Sequence, residues 1–500
     1  MRESRRKIIA LFLVNTILLL LAYGGFFKEG FSADALSQQL WPTTNIEAWM
    51  MNGRFLAALT GWLLHQIGIN TAFHYKIFYL LFITMVAGSM TLMQEAALTA
   101  VERQESLTET WMIRGMIALI YINGLFTENF MFPECFLIFG LAYLFSALSG
   151  YLLFSGKRKI AAMLSFIVAA MFYQPVLIAT VIIILAIAFI RTIQTQGRIL
   201  FWIRNAICAA LGTIALILLT LRLGSYAERL RGGVLSKSVG ALNIGFILSE
   251  LWRNFLLFCK SGMGLLPPVF LPGLCLLLPA VVCGTGVIAT PAGNAEHRKT
   301  AYPWYLLFLA SALSLSFSIV AGNGMRMLSG RLLGGLYATV AAGFLIAFCL
   351  TEKPVHRMVL GGLAMGFLLI QTVFCNTIMM NHYISNEKDL TYARMIYDQI
   401  LLYEAGGGET VTKVAYTQDE VCYDAYEDVY YKFGEINART IHRTGWMLLR
   451  KVTQEEGREF TLVDMDESVV QAYFAGRDWD TFRPQEQLVF QGDTLYWCVY

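Results

Sequence analysis

The chain has 500 residues, of which 57% are hydrophobic and only 15% are charged. With a mean hydropathy of +0.56, this composition excludes a soluble enzyme of this length and indicates a polytopic membrane protein. The formal net charge of +3 and the lack of a dense basic block argue against a nucleic-acid partner.

Long apolar runs are the main feature of the first 380 residues. A membrane span needs roughly 20 mostly apolar residues, and about eleven such runs follow one another. The first follows MRESRRK, and because no small-residue cleavage site follows it cleanly, we interpret it as a retained span. The predicted spans are 8–26, 73–98, 111–126, 132–154, 160–172, 176–190, 205–221, 269–288, 304–320, 332–350 and 359–379.

Basic residues predict the orientation, because lysine and arginine collect in short cytoplasmic loops. Four basic residues precede the first span and predict a cytoplasmic N-terminus: Arg2, Arg5, Arg6 and Lys7. An odd number of spans then places residues 381–500 on the outer side of the membrane. Later clusters on the predicted cytoplasmic side are 157–159, Arg191 with Arg198 and Arg204, 297–299, and Lys353 with Arg357. Five basic residues in the long loop after residue 221 lie outside: Arg229, Arg231, Lys237, Arg253 and Lys260. Long loops follow the rule poorly, so an ordinary loop and a functional surface both stay open there.

The segment 54–68, RFLAALTGWLLHQIG, is apolar but too short to count as a span. Arg54, His65 and Gln66 fit a helix that lies in the membrane interface better than one that crosses the bilayer. If this segment did cross, every later loop would change side and the basic clusters would fall on the wrong face.

From residue 381 the composition becomes polar, which predicts two domains. Residues 1–380 form a membrane domain with its candidate catalytic loop at 25–72, and residues 381–500 form a small extracytoplasmic α/β domain. The second domain has a helical pattern at 388–404, a glycine break at 406–408 and strand-like runs at 411–416, 460–465 and 488–492. Cys422 and Cys498 are its only cysteines, and a disulfide and two separate thiols both stay open.

Motifs of soluble enzymes are absent: the sequence has no Walker A loop, HExxH, GxSxG or clean GxGxxG. Asp464-Met465-Asp466 has the DxD spacing of many nucleotide-sugar transferases, but its small domain is predicted outside, away from nucleotide sugars. We interpret it as a loop at a strand end. The other seven cysteines lie singly in or beside apolar runs, which is typical of buried small hydrophobic residues.

The predicted outer loops contain acids and cations beside aromatic residues. An acid near hydrocarbon costs several kcal/mol, so such residues usually have a partner or a function. Arginine suits a phosphate, because its guanidinium stays charged and donates two parallel hydrogen bonds. The residues are Lys28, Glu29, Asp34, Glu47 and Arg54, then 127–129, 133–134, 173–175, 322–326 and Arg331.

The order of these features resembles that of the bacterial GtrII-like glucosyltransferases, which are membrane enzymes of the GT-C class. The likeness covers nearly the whole chain, and its specificity comes from order and topology because each motif is short. The matching residues are Phe31-Ser32-Ala33-Asp34, Trp49, Gly53-Arg54, Thr127-Glu128-Asn129-Phe130, Tyr173-Gln174-Pro175, Asn381-His382 and Tyr392-Ala393. Ala33 and Ala35 stand where we expect a second acid beside Asp34; if the reaction needs two carboxylates, Glu29, Glu47, Glu128 or Glu134 would have to supply the second.

The resemblance implies a transferase that moves a sugar, glucose in this family, from a polyprenyl-phosphate carrier to a cell-surface glycan or lipid-linked acceptor on the outer face. A carboxylate would deprotonate the acceptor hydroxyl as general base, while the acidic lipid phosphate needs charge neutralisation more than a proton. No cofactor is identified, and a divalent metal stays open. The candidate residues are Asp34, Glu128 and Glu134 for catalysis, Arg54, Arg326 and Arg331 for phosphate, and Trp49, Asn129, Tyr173 and Gln174 for substrate.

Each candidate also has a structural alternative. Asp34 is a common residue type at a helix N-cap, Glu128 and Glu134 fit solvated loop acids, and Arg54 fits a snorkelling interfacial side chain. Tyr173 and Gln174 fit a satisfied helix end, and Arg326 and Arg331 fit loop charges. For the whole chain, a transporter or lipid-linked-sugar flippase stays open, as does a GT-C transferase for another sugar, since no residue identifies the sugar.

Overall fold

A computed structural model describes residues 2–28, 30–41, 43–99, 106–155, 158–195, 199–230, 245, 249, 252–256, 260, 303–313, 315–316, 329–351, 353–419, 425–429 and 435–500. The predicted span 269–288, the end of span 304–320 and the basic cluster 297–299 lie outside the described residues. So do Lys157, Arg198, Glu29, Arg326 and Cys422.

Apolar helices make up the first part of the chain, as the hydropathy predicts. Among the described residues, six helices are long and apolar enough to cross a membrane: α1, α5, α7, α9, α10 and α13. Three shorter apolar helices, α8, α11 and α12, accompany them. The helices are α1 (Arg2–Tyr23), α2 (Ala33–Leu40), α3 (Thr44–Met51), α4 (Phe55–Gln66), α5 (Tyr75–Leu98), α6 (Leu107–Ala118), α7 (Phe136–Phe154), α8 (Lys159–Phe172), α9 (Val176–Gln194), α10 (Ile199–Leu230), α11 (Pro303–Leu313), α12 (Gly334–Leu350) and α13 (Pro354–Ala405).

Helix α6 is shorter than the predicted span 111–126 and ends at Ala118. The Asn123 side chain explains this difference, because its Nδ2 donates to the carbonyls of Leu119 and Ile120 and its Oδ1 accepts from the Phe126 backbone N–H. An asparagine that bonds the backbone in this way favours a turn over a continued helix. Two 3₁₀ turns, Phe126–Met131 and Pro133–Cys135, follow.

The loops collect at two ends of the helical bundle. At one end, the Gln174 amide donates to the Asn52 carbonyl and to Thr220 Oγ1. The turn between α8 and α9, the end of α3 and helix α10 therefore meet there. We call this the loop end. At the other end, Arg114 pairs with Glu95 and Arg191 donates to the Thr99 carbonyl. From α5 to α10, successive helices therefore run in alternating directions between the two ends.

Helix α13 is continuous for 52 residues. At 1.5 Å per residue it is about 78 Å long, which exceeds the roughly 30 Å of a bilayer's hydrocarbon core. Its first half carries the predicted span 359–379, and its second half shares a hydrophobic cluster with the strands near the end of the chain, in the predicted C-terminal domain. The predicted domain boundary at 380/381 therefore lies inside one helix.

The C-terminal domain has a four-stranded sheet with the order β2-β1-β4-β3. The strands are β1 (Lys413–Gln418), β2 (Thr461–Leu462), β3 (Leu488–Gln491) and β4 (Thr494–Val499), and helix α14 (Ile441–Val452) packs beside them. Strand β1 pairs in parallel with β2 and β4, whereas β3 and β4 are antiparallel. The first three strands overlap the predicted runs, and β4 was not among those predicted.

The first loop after α1 is part of the core of the C-terminal domain. Phe31, Ala35 and Leu36 are buried in one hydrophobic cluster with residues of α13, α14 and the sheet. Asn386 on α13 fastens this loop, because its Oδ1 accepts from the Phe31 N–H and its Nδ2 donates to the Phe31 carbonyl. Helix α2 and the C-terminal domain therefore lie together at the loop end.

Candidate functional site

Asp34 lies in the first turn of α2, and its side chain is exposed. The N-cap is Ser32, whose Oγ accepts a hydrogen bond from the Ala35 N–H at 3.2 Å. The capping role that the sequence left open for Asp34 therefore belongs to Ser32. Among the described residues, the Asp34 carboxylate has no hydrogen bond or ion pair, so both of its oxygens are available to a ligand.

Glu128 is fully buried and accepts several hydrogen bonds. Ser329 Oγ donates to its carboxylate at 2.7 to 2.8 Å, and Arg331 donates through its backbone N–H at 2.7 Å and through Nη1 at 3.3 Å. Gly330 allows this approach, because a Cβ there would lie 2.9 Å from the Leu125 carbonyl and 3.1 Å from Glu128 Oε2. Glu128 therefore holds Arg331 in place.

Arg54 follows α3 and lies against the turn between α8 and α9. Its Nε donates to Gln174 Oε1 at 3.3 Å, and its guanidinium lies 4.7 Å from the centre of the Tyr173 ring. The described residues give Arg54 no carboxylate partner. The aromatic face and the amide fix its orientation, and its positive charge has no counter-ion in the described part of the chain.

Glu134 is 1% exposed, and its Oε1 accepts a weak hydrogen bond from Cys135 Sγ at 3.8 Å. Its Oε2 is buried without a partner in the described part of the chain. The residue borders a small cavity of about 20 Å³, room for about one water molecule, which Trp49, Gln38 and Thr71 also line. A buried carboxylate oxygen without a partner is costly, which is typical of a functional group.

These groups converge at the loop end. Arg331 interacts electrostatically with Tyr173 and Asp34. Glu134 interacts in the same way with Asp34 and Arg331. Arg54 and Arg331 are close enough for their like charges to repel. The cluster therefore contains two arginines, three carboxylates and a tyrosine, contributed by five separate segments of the chain.

The remaining predicted residues surround this cluster. Tyr173 is 1% exposed, its ring packs on Phe139 at 4.6 Å, and its hydroxyl has no partner among the described residues. Trp49 lines the cavity beside Glu134. Asn129 is buried and its Nδ2 donates to the Phe126 carbonyl, so it supports the turn that carries Glu128. The structure gives no contact between Asn129 and the two arginines.

Sequence reasoning missed Ser329, which donates to both oxygens of Glu128. A single serine beside a glycine carries no sequence signal, because its function depends on an acid about 200 residues earlier in the chain. It also missed the approach of the C-terminal domain, where the Glu435 N–H donates to Glu128 Oε1 at 3.4 Å.

No metal site is visible in the described ranges, which contain no group of three or more histidines, cysteines or acids that could hold an ion. The Asp464-Met465-Asp466 sequence follows β2 as a loop, as predicted. Asp466 caps the next short helix by accepting from the Ser468 N–H at 2.8 Å, so this oxygen of the DxD spacing has a structural role.

A bundle of apolar helices with carboxylates, arginines and aromatic residues gathered at one end defines a membrane protein with a polar centre at its surface. A family model described as Glucosyl transferase GtrII matches residues 24–348, and the chain belongs to this family. The protein is thus a membrane glycosyltransferase, which confirms the resemblance found in the sequence. The match includes every residue of the cluster. Comparisons with curated proteins and with solved structures found no match.

Proposed function

We propose that this glycosyltransferase moves glucose from a polyprenyl-phosphate carrier to a glycan acceptor at the outer face of the membrane. The observation that supports this most directly is the position of Asp34. It is an exposed carboxylate without a partner in the described residues, and it lies within electrostatic range of Arg331 and Glu134. A base, a second acid and a cation are then close together at the loop end of the bundle.

The proposed reaction is a substitution at the anomeric carbon of the donor sugar. A lone pair of the acceptor hydroxyl oxygen forms the new C1–O bond while the bond from C1 to the phosphate oxygen breaks. The hydroxyl proton passes to the Asp34 carboxylate, and the bonding electrons leave with the lipid phosphate. Positioned general bases of this kind contribute about 10²- to 10⁴-fold to the rate.

The leaving phosphate needs positive charge. Arg54 and Arg331 are held close enough to repel each other, and an anion between them would relieve this repulsion. Of the two, Arg54 has no described carboxylate partner, so its charge is the one that a ligand would neutralise. Arg326 remains a third proposed phosphate ligand, outside the described residues. A phosphate held between guanidiniums is stabilised as its charge develops.

The second acid is proposed to be Glu134 rather than Glu128. Both oxygens of Glu128 already accept hydrogen bonds from Ser329 or Arg331, so its role is to position Arg331. Glu134 keeps one oxygen without a described partner and interacts with Asp34. Trp49, Tyr173 and Gln174 are proposed to contact substrate around this centre, with Asn129 supporting the turn.

The test is turnover by the purified full-length protein with radiolabelled polyprenyl-phosphate glucose. We expect release of polyprenyl phosphate and transfer of label to a glycan extract of the cell envelope. Asp34→Asn is the matched control, because it keeps the shape of the side chain and removes the basic carboxylate. Transfer from a nucleotide sugar, with no consumption of lipid-linked glucose, would contradict the proposed donor.

A further inference from the structure

A polar groove lies on the C-terminal domain, outside the catalytic cluster. It has about 640 Å³ of space at the carboxyl ends of β1 and β2. Tyr416 and Gln418 line it from β1, with Asp419 directly after that strand, and Leu462 and Asp464 line it from β2 and the loop that follows. In open sheets with parallel strands, the carboxyl ends of the strands are where ligands usually bind.

The groove is at the end of the sheet that lies nearer the helical bundle along α13. The chain leaves β1 at Gln418, and by Glu435 its backbone N–H reaches the Glu128 carboxylate. Strand β4 is parallel to β1, and beyond its carboxyl end the Tyr500 hydroxyl lies 3.1 Å from the Tyr392 hydroxyl on α13. Tyr392 is 13 residues past the predicted membrane exit at 379, or roughly 20 Å along the helix axis.

The chemistry of the lining favours a neutral, hydroxyl-rich ligand. Residue Asp464 is exposed, and its carboxylate has no hydrogen bond or ion pair among the described residues, so it can accept hydrogen bonds from hydroxyl groups. Leu462 is 45% exposed beside the half-buried Tyr416, which offers an apolar surface to the C–H face of a sugar ring. The described lining contains two carboxylates and no cation, which disfavours a phosphate or another anion.

We propose that this groove binds the acceptor saccharide and leads its reactive end down to Asp34. The inference rests on the proposed function for the direction of transfer, but the groove itself binds saccharide independently of catalysis. Because Tyr392 lies roughly 20 Å past the predicted membrane exit and the groove is on the same domain, the proposed acceptor is a glycan of several sugar units, with its distal units held in the groove. The C-terminal domain would then select the acceptor, while the membrane helices bind the donor.

The test uses two variants at the groove in the full-length protein in detergent. Asp464→Asn removes the charged acceptor, and Asp464→Arg also fills the groove; the side chain is exposed, so neither change disturbs the core. The control is Asp398→Asn, an exposed acid on α13 without a partner among the described residues. Binding is measured by fluorescence anisotropy with a panel of labelled neutral hexose oligosaccharides, in the absence of donor.

We expect the Kd for the best oligosaccharide to rise about tenfold in Asp464→Asn, the size of one lost hydrogen bond to a charged group, and more in Asp464→Arg. The control is expected to bind normally. In turnover, the acceptor KM should rise while donor hydrolysis by water is unchanged. No binding by any member of the panel, or equal Kd values in all variants, would overturn the proposal. If saccharide binding depends on Asp464 but the protein does not consume polyprenyl-phosphate glucose, the groove proposal stands and only the proposed function is contradicted.

Discussion

At the scale of single residues, Ser32 and Asp34 lie at the start of the same short helix, α2, and have different roles there. Both residue types occur at N-caps, and the sequence alone could not decide between them. In the structure Ser32 accepts the capping hydrogen bond, and Asp34, two residues later, has none. The two roles can therefore be separated by mutation.

We predict that Asp34→Asn lowers the transfer rate by about 10²- to 10⁴-fold and leaves the melting temperature unchanged, because it removes a base and no described contact. Ser32→Ala should do the reverse and cost about 1 kcal/mol of stability through the lost cap. The measurement is turnover and thermal unfolding of both purified variants. Normal transfer by a folded Asp34→Asn protein would place the base elsewhere, with Glu134 next to test.

Glu128 and Arg331 form a pair in which one residue positions the other. Replacing Arg331 by lysine keeps the charge but loses the two-pronged geometry that suits phosphate. We predict that Arg331→Lys raises the KM for lipid-linked glucose at least tenfold, and that Glu128→Gln has a similar but smaller effect because Arg331 is then less firmly held. Steady-state kinetics with varied donor concentration measures both.

An effect on the acceptor KM alone, with the donor KM unchanged in both variants, would contradict this assignment. The comparison with Arg54→Lys then shows which arginine the phosphate contacts more closely, since the described residues give Arg54 an amide and an aromatic partner and no acid.

At the scale of secondary structure elements, the loop before α4 depends on a glycine. Gly53 has a φ of +71°, and a Cβ there would lie 2.0 Å from the Thr220 carbonyl oxygen on α10. Gly68 has a similar φ of +74° with nothing within 4 Å of its Cβ position. The two positions share the left-handed backbone, and only Gly53 adds a close approach between elements.

We predict that Gly53→Ala costs several kcal/mol and impairs turnover, because α10 must move away from the loop that carries Arg54. Gly68→Ala should cost only the roughly 1–2 kcal/mol of a left-handed alanine and leave turnover normal. Thermal unfolding and activity of the two variants provide the comparison. If both variants lost the same stability and activity, the requirement for glycine at position 53 would come from its left-handed backbone and not from its contact with α10.

The packing of α2 on the C-terminal domain is the contact between elements that the sequence predicts least well. The pattern of apolar residues shows that α2 has a buried face, but periodicity does not show which distant segment covers it. The partner residues are roughly 360 positions later in the chain on α13 and roughly 410 later on α14. Local patterns did predict the helix at 388–404 and the strand runs, because propensity and hydropathy act over short ranges.

We predict that Leu36→Ala loosens the C-terminal domain by about 2–5 kcal/mol, the cost of removing a fully buried leucine side chain. Leu36 is 2% exposed, whereas Ser37 is partly exposed and its side chain has no described partner, so Ser37→Ala is the control. Limited proteolysis of the purified protein measures the effect as faster cleavage within residues 381–500. Equal cleavage rates would show that α2 is not needed to hold this domain.

At the scale of the whole molecule, composition and the order of short motifs were sufficient to identify the family, and the match over residues 24–348 confirms it. The presence of several membrane helices is likewise confirmed, while the count of about eleven stays a prediction. Span limits were harder to predict because local hydrogen bonds override hydropathy, as Asn123 does at the end of α6. The proximity of four site residues depends on packing between segments far apart in the sequence: Asp34, Arg54, Glu134 and Arg331. Before the structure, a shared site for them could be proposed only from the resemblance to the family.

The orientation of the bundle is the remaining prediction. The structure places the C-terminal domain at the same end as α2, which follows the first helix directly. The opposite end carries Arg158, Arg191 and Arg357 in or beside its loops, and an excess of basic residues predicts the cytoplasmic side. The loop end, with the catalytic cluster and the proposed saccharide groove, should therefore face outward.

A cysteine introduced at Asp398, an exposed position on the distal half of α13, should react with a membrane-impermeant maleimide in intact cells. A cysteine at Arg158, exposed at the opposite end, should react only after the membrane is permeabilised. The unsubstituted chain corrects for labelling of native cysteines such as Cys208, which is exposed on α10. If the maleimide labelled Arg158→Cys but not Asp398→Cys in intact cells, the true orientation would be the opposite of the predicted one. A site at the cytoplasmic face could use a nucleotide sugar directly, so that result would also contradict the lipid-linked donor.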